Sequence, residues 1–181
     1  QLYISRDITY TSSSTAKVMS YYLATASIAR NIAILFKAVM PEYYEKYRKA
    51  FDAGVWFTDD PGPFIGRAII YKLQGQLHRD RQDVGPSVCF PVGDYSGGEM
   101  LFPQLGSKFT YDPGSVFIFF SSNLYHKVNT FKPKVQTAEQ AKVNITPGRI
   151  GSVFFFPKQS YKVLKDKPKD WARQTDYDSK N

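Results

Sequence analysis

From Ala16 to Val39 apolar residues recur at helical spacing, at Val18, Tyr21, Tyr22, Ala26, Ala29, Ala33 and Phe36. A segment with one apolar face buries that face, so the spacing predicts a helix over the whole stretch. Ser12, Ser13, Ser14 and Thr15 precede it as candidate N-caps, because a short side-chain oxygen accepts from a free N–H of the first turn. Pro41 interrupts the run and is tolerated in the first turn of a second helix. That helix carries Tyr43, Tyr44, Tyr47 and Phe51 and ends near Gly54. After Pro61-Gly62-Pro63 the texture changes. Short apolar runs at Ala68–Leu73, Ser87–Val92, Glu99–Phe102, Ser115–Phe120 and Gly151–Phe156 read as strands. Asp94-Tyr95-Ser96-Gly97-Gly98 and Asp112-Pro113-Gly114 read as turns. Short strands with such turns predict a sandwich, barrel or jelly roll. The expected fold is therefore α+β. Residues 1–55 form a helical support on one face, residues 56–158 the β core, and residues 159–181 a polar tail, all in one integrated domain. Most of the tail from Lys158 reads as solvated coil, with Trp171 docking locally.

Composition narrows the class. A chain of 181 residues buries roughly two-thirds of its unfolded surface, so its core needs no staples. The lone Cys89 excludes an internal disulfide framework and any multi-cysteine metal site, and between Val88 and Phe90 it reads as a small buried hydrophobe rather than a reactive thiol. The 13 Tyr and 14 Phe point to a β-rich core. The +8 net charge favours anionic partners such as nucleic acid, an acidic substrate or an anionic membrane, although a basic protein with no polyanion partner also fits it. The most apolar stretch, Tyr21 to Val39, contains Arg30 and Lys37 and is too interrupted to span a bilayer. The chain starts at Gln1 rather than Met, as a trimmed or processed product does.

The candidate chemistry gathers around two histidines. His78 and Asp80 are two residues apart, and on an extended segment such residues share a face, so an imidazole and a carboxylate can converge on one metal. His126 lies 46 residues beyond Asp80, after a strand-like run. If the sheet returns it, the three form a triad of two histidines and one carboxylate with open coordination positions, typical of non-haem Fe(II) oxygenases. A lone histidine is more often a hydrogen-bonded structural residue. The context, with each histidine following a predicted strand, favours ligation. Arg149 opens a further apolar run, where a guanidinium can bind a carboxylate in bidentate geometry.

The stretch from Ile69 to Phe156 resembles the Fe(II)/2-oxoglutarate dioxygenases, and within them the fungal TET/JBP-like proteins. The resemblance rests on His78-Arg79-Asp80 and on Pro91-Val92-Gly93-Asp94-Tyr95-Ser96-Gly97-Gly98-Glu99. It continues through Leu105-Gly106, Tyr111-Asp112-Pro113-Gly114-Ser115-Val116 and His126 to Gly148-Arg149, and covers about half of the chain. It implies a double-stranded β-helix, Fe(II) on His78, Asp80 and His126, 2-oxoglutarate on Arg149, and O2 as oxidant. Two departures stand out. The interval from His126 to Arg149 is 23 residues, longer than usual, so Phe131 to Pro147, with Lys132, Lys134 and Lys142, reads as an inserted loop, and a nearby lysine is the alternative to Arg149. The family often has serine two residues after the arginine. Here Gly151 stands there and Ser152 follows, so either Ser152 serves instead or the contact is missing. Tyr71 is a second candidate for the cosubstrate, or a packed core aromatic. Arg79 and Arg81 alternate with the His78/Asp80 face, and either meet phosphate at the mouth of the site or are merely solvated. Asn123 and Tyr125 flank His126 and either orient substrate or pack the loop.

Three functions compete. The first is oxidation of a methyl group on a nucleic-acid base, with 5-methylcytosine in DNA favoured. Arg79, Arg81, Lys132, Lys134 and Lys142 would grip the backbone, DNA would be the partner, and the location would be intracellular, nuclear if DNA is the substrate. The second keeps the oxygenase chemistry for a peptide or small molecule, as in prolyl hydroxylases, since fold does not fix substrate. The third is a non-catalytic jelly-roll binding module. No membrane partner is expected.

Overall fold

A computed structural model describes residues 10–55 and 57–174 of the chain. The fold mixes helices with antiparallel sheets. It falls into two compact units, one formed by the described residues up to Ile65 together with those from Phe156 onward, the other by Gly66–Phe155.

In the first unit the predicted long helix is two helices, α1 (Ser12–Ala24) and α2 (Ala26–Val39), bent by 58°. The break is at Thr25. Its hydroxyl donates to the Tyr21 carbonyl at 2.7 Å, and its N–H bonds the same carbonyl at 3.0 Å. A threonine bonding back to residue i−4 bends a helix, which an apolar spacing pattern does not register. The cap is Thr11, one residue ahead of the expected serines, and its side chain accepts from the Ser14 N–H. Helix α3 (Pro41–Gly54) starts on its proline as expected. Phe36 of α2 and Tyr47 of α3 stack at 5.5 Å, and Phe64 and Phe156 pack onto them. Contrary to the coil expected from Lys158, Lys158–Leu164 is a helix, with Leu164 buried beside Gly54, whose missing Cβ makes room for it. Among the described residues no single helix is long and apolar enough to cross a membrane.

The second unit holds the sheets. Strands β1 (Gly66–Tyr71), β2 (Ser87–Val92), β6 (Phe117–Phe119) and β9 (Ile150–Phe155) form an antiparallel sheet in the order β1-β9-β2-β6. Strands β4 (Met100–Phe102), β5 (Ser107–Phe109) and β7 (Lys127–Val128) form a second in the order β5-β4-β7, and β3 (Tyr95–Gly97) pairs with β8 (Phe131–Pro133). All five predicted runs overlap a strand, with β1 starting two residues and β9 one residue earlier than expected. The strands β3, β5, β7 and β8, at two or three residues each, are too short to give a period in the sequence. The expected inserted loop contains β8 and a short helix, α4 (Ala138–Lys142), closed by a capping box between Thr137 and Gln140.

Strand alternation then decides which side chains meet. Cys89, Val153, Phe117 and Phe119 share one face and pack with Met100, Phe102 and Tyr111. Gly97 and Gly98, both at positive φ, let the chain leave β3 against Thr130, where a Cβ on Gly97 would sit 2.7 Å from a carbonyl oxygen. Gly93 is tighter still: its Cβ would lie 2.1 Å from the Gly148 carbonyl oxygen, immediately before Arg149.

Candidate metal centre and its cavity

His78 and His126 lie opposite each other as an isolated antiparallel bridge, His78 N–H to His126 O at 3.1 Å and the reverse at 2.9 Å. Asp80 N–H bonds the Ser121 carbonyl at 3.0 Å. These three backbone bonds fasten the two ligand-bearing segments together. Asp80 then reaches both rings, with Oδ1 3.5 Å from His78 Nε2 and Oδ2 3.6 Å from His126 Nε2. One ligand atom from each residue lies within 4.8 Å of the others.

The proton positions follow from the partners. His78 Nδ1 is 2.7 Å from the Gln76 carbonyl, and His126 Nδ1 is 3.1 Å from the Leu124 carbonyl. A carbonyl only accepts, so each Nδ1 donates, which leaves each Nε2, on the Asp80 side, as the nitrogen that can ligate a metal. This is the arrangement that orients metal-binding imidazoles. Burial holds His126 below the ordinary imidazole pKa, opposed by its bond to Leu124 and the charge of Asp80, which favours the neutral, ligating form. His78 is the exposed partner, with half its side chain accessible.

The cluster opens on a cavity of about 640 Å³, within the range of small-molecule sites. Ala68, Ile70, Gly151 and Val153 line one wall, and Arg149 lies in the lining too. Arg149 is 4% exposed. Its guanidinium sits 5.2 Å from the Tyr111 ring centre, 5.7 Å from Phe131 and 5.9 Å from Tyr95. Its Nε has no hydrogen-bond partner, and among the described residues no carboxylate lies within 4.0 Å of it. The aromatic faces, together with side-chain hydrogen bonds to Tyr95 and Tyr111, offset part of the cost of a buried cation but leave Nε unsatisfied and supply no counter-charge. An incoming carboxylate supplies what is missing. Two nitrogens and a carboxylate oxygen with open positions fit Fe(II), and the buried guanidinium fits a dicarboxylate cosubstrate.

Two sequence-predicted residues stand elsewhere. Ala68 and Ile70 face the cavity, so Tyr71 takes the opposite face, 61% exposed, with the Lys72 ammonium over its ring. Ser152 borders the cavity, but the register sets it beside Ile69 and Phe90, on the face away from Gly151 and Val153. The cavity-side position is Gly151, which has no hydroxyl to offer. A one-residue phase error in a strand produces both misplacements.

Arg79 and Arg81 both line the cavity rather than turning wholly to solvent. Arg79 stacks over the Tyr125 ring at 4.6 Å, which ties a residue beside one histidine to a residue beside the other. Lys132, Lys134 and Lys142 are exposed and do not line the cavity. Cys89 lies against it, nearly inaccessible, its thiol pushed up to about 12 by burial. Asp83 also lines the cavity and was not singled out from the sequence. It accepts from Ser87 Oγ at 3.3 Å and Ser121 Oγ at 3.4 Å, and burial, with the Asp80 charge second, raises its carboxyl to about 6.

The protein is thus, by fold and site, a helix and antiparallel-sheet protein with a candidate His-Asp-His metal centre. No protein-family model matches the sequence, and no curated protein matches it. Among solved structures, NgTET1 in complex with 5mC DNA is similar over 92% of this chain, at a TM-score of 0.65 and 19% identity, which shows a shared fold. This chain spans 58% of the length of that one. OsALKBH1 is similar over 44% of this chain and 41% of its own, at 27% identity and a TM-score of 0.35.

Proposed function

We propose that the protein is an Fe(II)- and 2-oxoglutarate-dependent dioxygenase that oxidises a methyl group on a nucleic-acid base, 5-methylcytosine in DNA being the favoured substrate. The sheets would then be the two walls of a double-stranded β-helix. The observation that carries the reading is one cavity bounded by His78, Asp80 and His126 and by the buried, carboxylate-free guanidinium of Arg149.

His78, Asp80 and His126 would hold the iron, and Arg149 the distal carboxylate of the cosubstrate. Bound there, iron and 2-oxoglutarate supply the activation of O2 and the removal of hydrogen from an unactivated carbon. The chain does the rest. Gln76 and Leu124 hold the two Nδ1 protons, so both imidazoles stay in the ligating tautomer. Tyr95, Tyr111 and Phe131 exclude water from Arg149, which strengthens its grip on an anion. Asp83, Arg79 and Arg81 offer an acceptor and donors to the edge of a base brought into the cavity. A base inside a duplex must be flipped out to reach such a site. Two observations support the substrate: the fold neighbour was crystallised with 5mC DNA, and this chain carries a net charge of +8.

The test is succinate release from 2-oxoglutarate with Fe(II), on duplexes with and without 5-methylcytosine. Turnover stimulated by the methylated duplex and abolished by Asp80→Ala is expected. Succinate that ignores DNA would move the substrate to a peptide or small molecule. Absence of turnover despite bound metal would overturn the enzyme reading.

A further inference from the structure

Strand β7 pairs with β4, Leu101 opposite Lys127 and Met100 opposite Val128, and the Asn129 N–H donates to the Glu99 carbonyl at 2.8 Å. Bonded pairs alternate along an antiparallel ladder, so Glu99/Asn129 and Leu101/Lys127 fix Pro103/Tyr125 as the next bonded pair. Proline has no N–H, and at Pro103 the chain turns into a short 3-10 helix (Pro103–Leu105). Pro103 cannot donate to Tyr125, its carbonyl accepts from the Gly106 N–H at 3.0 Å instead, and the Tyr125 N–H loses its ladder acceptor immediately before His126.

The Gln104 side chain occupies its place. Gln104 Oε1 accepts from the Tyr125 N–H, and Gln104 Nε2 donates to the Asn123 carbonyl at 3.2 Å. A carboxamide carries both an acceptor and donors, so its oxygen replaces the lost ladder acceptor for Tyr125 while its NH2 adds a second tie at Asn123. The backbone bridge to His78 holds His126 from one side, and Gln104 holds the residues before it from the other.

We propose that Gln104 is a positioning residue that sets the His126 imidazole for metal binding. The proposal rests on the reading of His78, Asp80 and His126 as metal ligands. The experiment titrates Co(II), followed by its visible absorption, into the full chain and its Gln104→Ala and Gln104→Glu variants, with thermal melts of the metal-free proteins alongside. Glutamate keeps the acceptor for the Tyr125 N–H and loses the donor to Asn123. Gln104→Ala is expected to weaken Co(II) binding about tenfold and change the band shape, with Gln104→Glu between it and wild type. Altered melting with wild-type affinity and spectrum would mean a purely structural role and would overturn the proposal. If Gln104→Ala does not fold, Gln104→Glu decides alone, and wild-type binding by it overturns the proposal. Wild-type protein that gives no Co(II) spectrum overturns the metal-site reading, and the proposal with it.

Discussion

Asp83 sits one turn beyond the metal-site carboxylate, held by two buried serine hydroxyls that also bond each other at 2.9 Å. Its carboxyl, raised to about 6 from an ordinary 3.8, binds a proton more tightly folded than unfolded. Folding stability therefore falls as pH rises from about 4 to about 6, and the full penalty is present above that. His126 pulls the other way, because burial lowers its pKa and unfolding takes up a proton in acid. The difference between wild type and Asp83→Asn isolates the first effect. The stabilisation of the metal-free protein by Asp83→Asn, measured by thermal melting, should be larger at pH 7.5 than at pH 5. Equal gains at both pH values would contradict the raised carboxyl. At this scale the sequence reads unevenly. His78 and Asp80 were legible because a spacing of two has one geometric meaning on an extended segment. Asp83 and Gln104 were not, since each acts through partners that only the strand register brings near.

At the scale of elements, the apolar runs located the strands but not their phase. The sequence leaves open whether Tyr71 and Ser152 meet the cosubstrate, and pairing of Ile69 with Ser152 turns both side chains to the opposite face of the sheet, with Ser152 at the cavity's border. The bend at Thr25 was likewise hidden, because its cause is a hydroxyl bond and not a break in periodicity. The junction from β2 into β3 meets the strand-entry segment at Gly148 without room to spare. Gly93 holds φ at 104°, and an added Cβ would meet the Gly148 carbonyl oxygen. Gly93→Ala should cost roughly 2 kcal/mol or more, from positive φ together with the clash. Denaturant unfolding checks this. Because Gly148 leads directly into Arg149, the same variant should weaken 2-oxoglutarate binding more than Co(II) binding.

For the whole molecule, the charge of +8 and the exposed Lys132 and Lys134 bear on the proposed polyanion partner. Each phosphate neutralised steepens the fall of affinity with salt by about 0.9 in the log–log slope. If both lysines contact phosphates, the Lys132→Ala/Lys134→Ala double variant should lose about 2 from the slope of duplex binding, read by fluorescence anisotropy across a salt series. An unchanged slope would assign both lysines to solvent. The main strands and the His78/Asp80 pair were legible because they depend on short-range pattern, whereas His126, 46 residues beyond Asp80, joins them only through its backbone bridge to His78. The helix at Lys158–Leu164 was not, because a lysine-rich surface conceals the one residue, Leu164, that anchors it.

The arginine enclosed by Tyr95, Tyr111 and Phe131 bears on how the protein is kept as well as on what it binds. A cation sealed from water with no counter-ion close by is a fault in the native state that an occupant repairs. Ligand that binds only the folded chain shifts the folding equilibrium by mass action. 2-Oxoglutarate alone, before any metal or DNA, should therefore raise the melting temperature, and Arg149→Met should melt no lower than the empty wild type yet gain nothing from the ligand. If Arg149 holds 2-oxoglutarate as proposed, that molecule would also guard the pocket that receives it, and its supply would set how much of the protein stays folded.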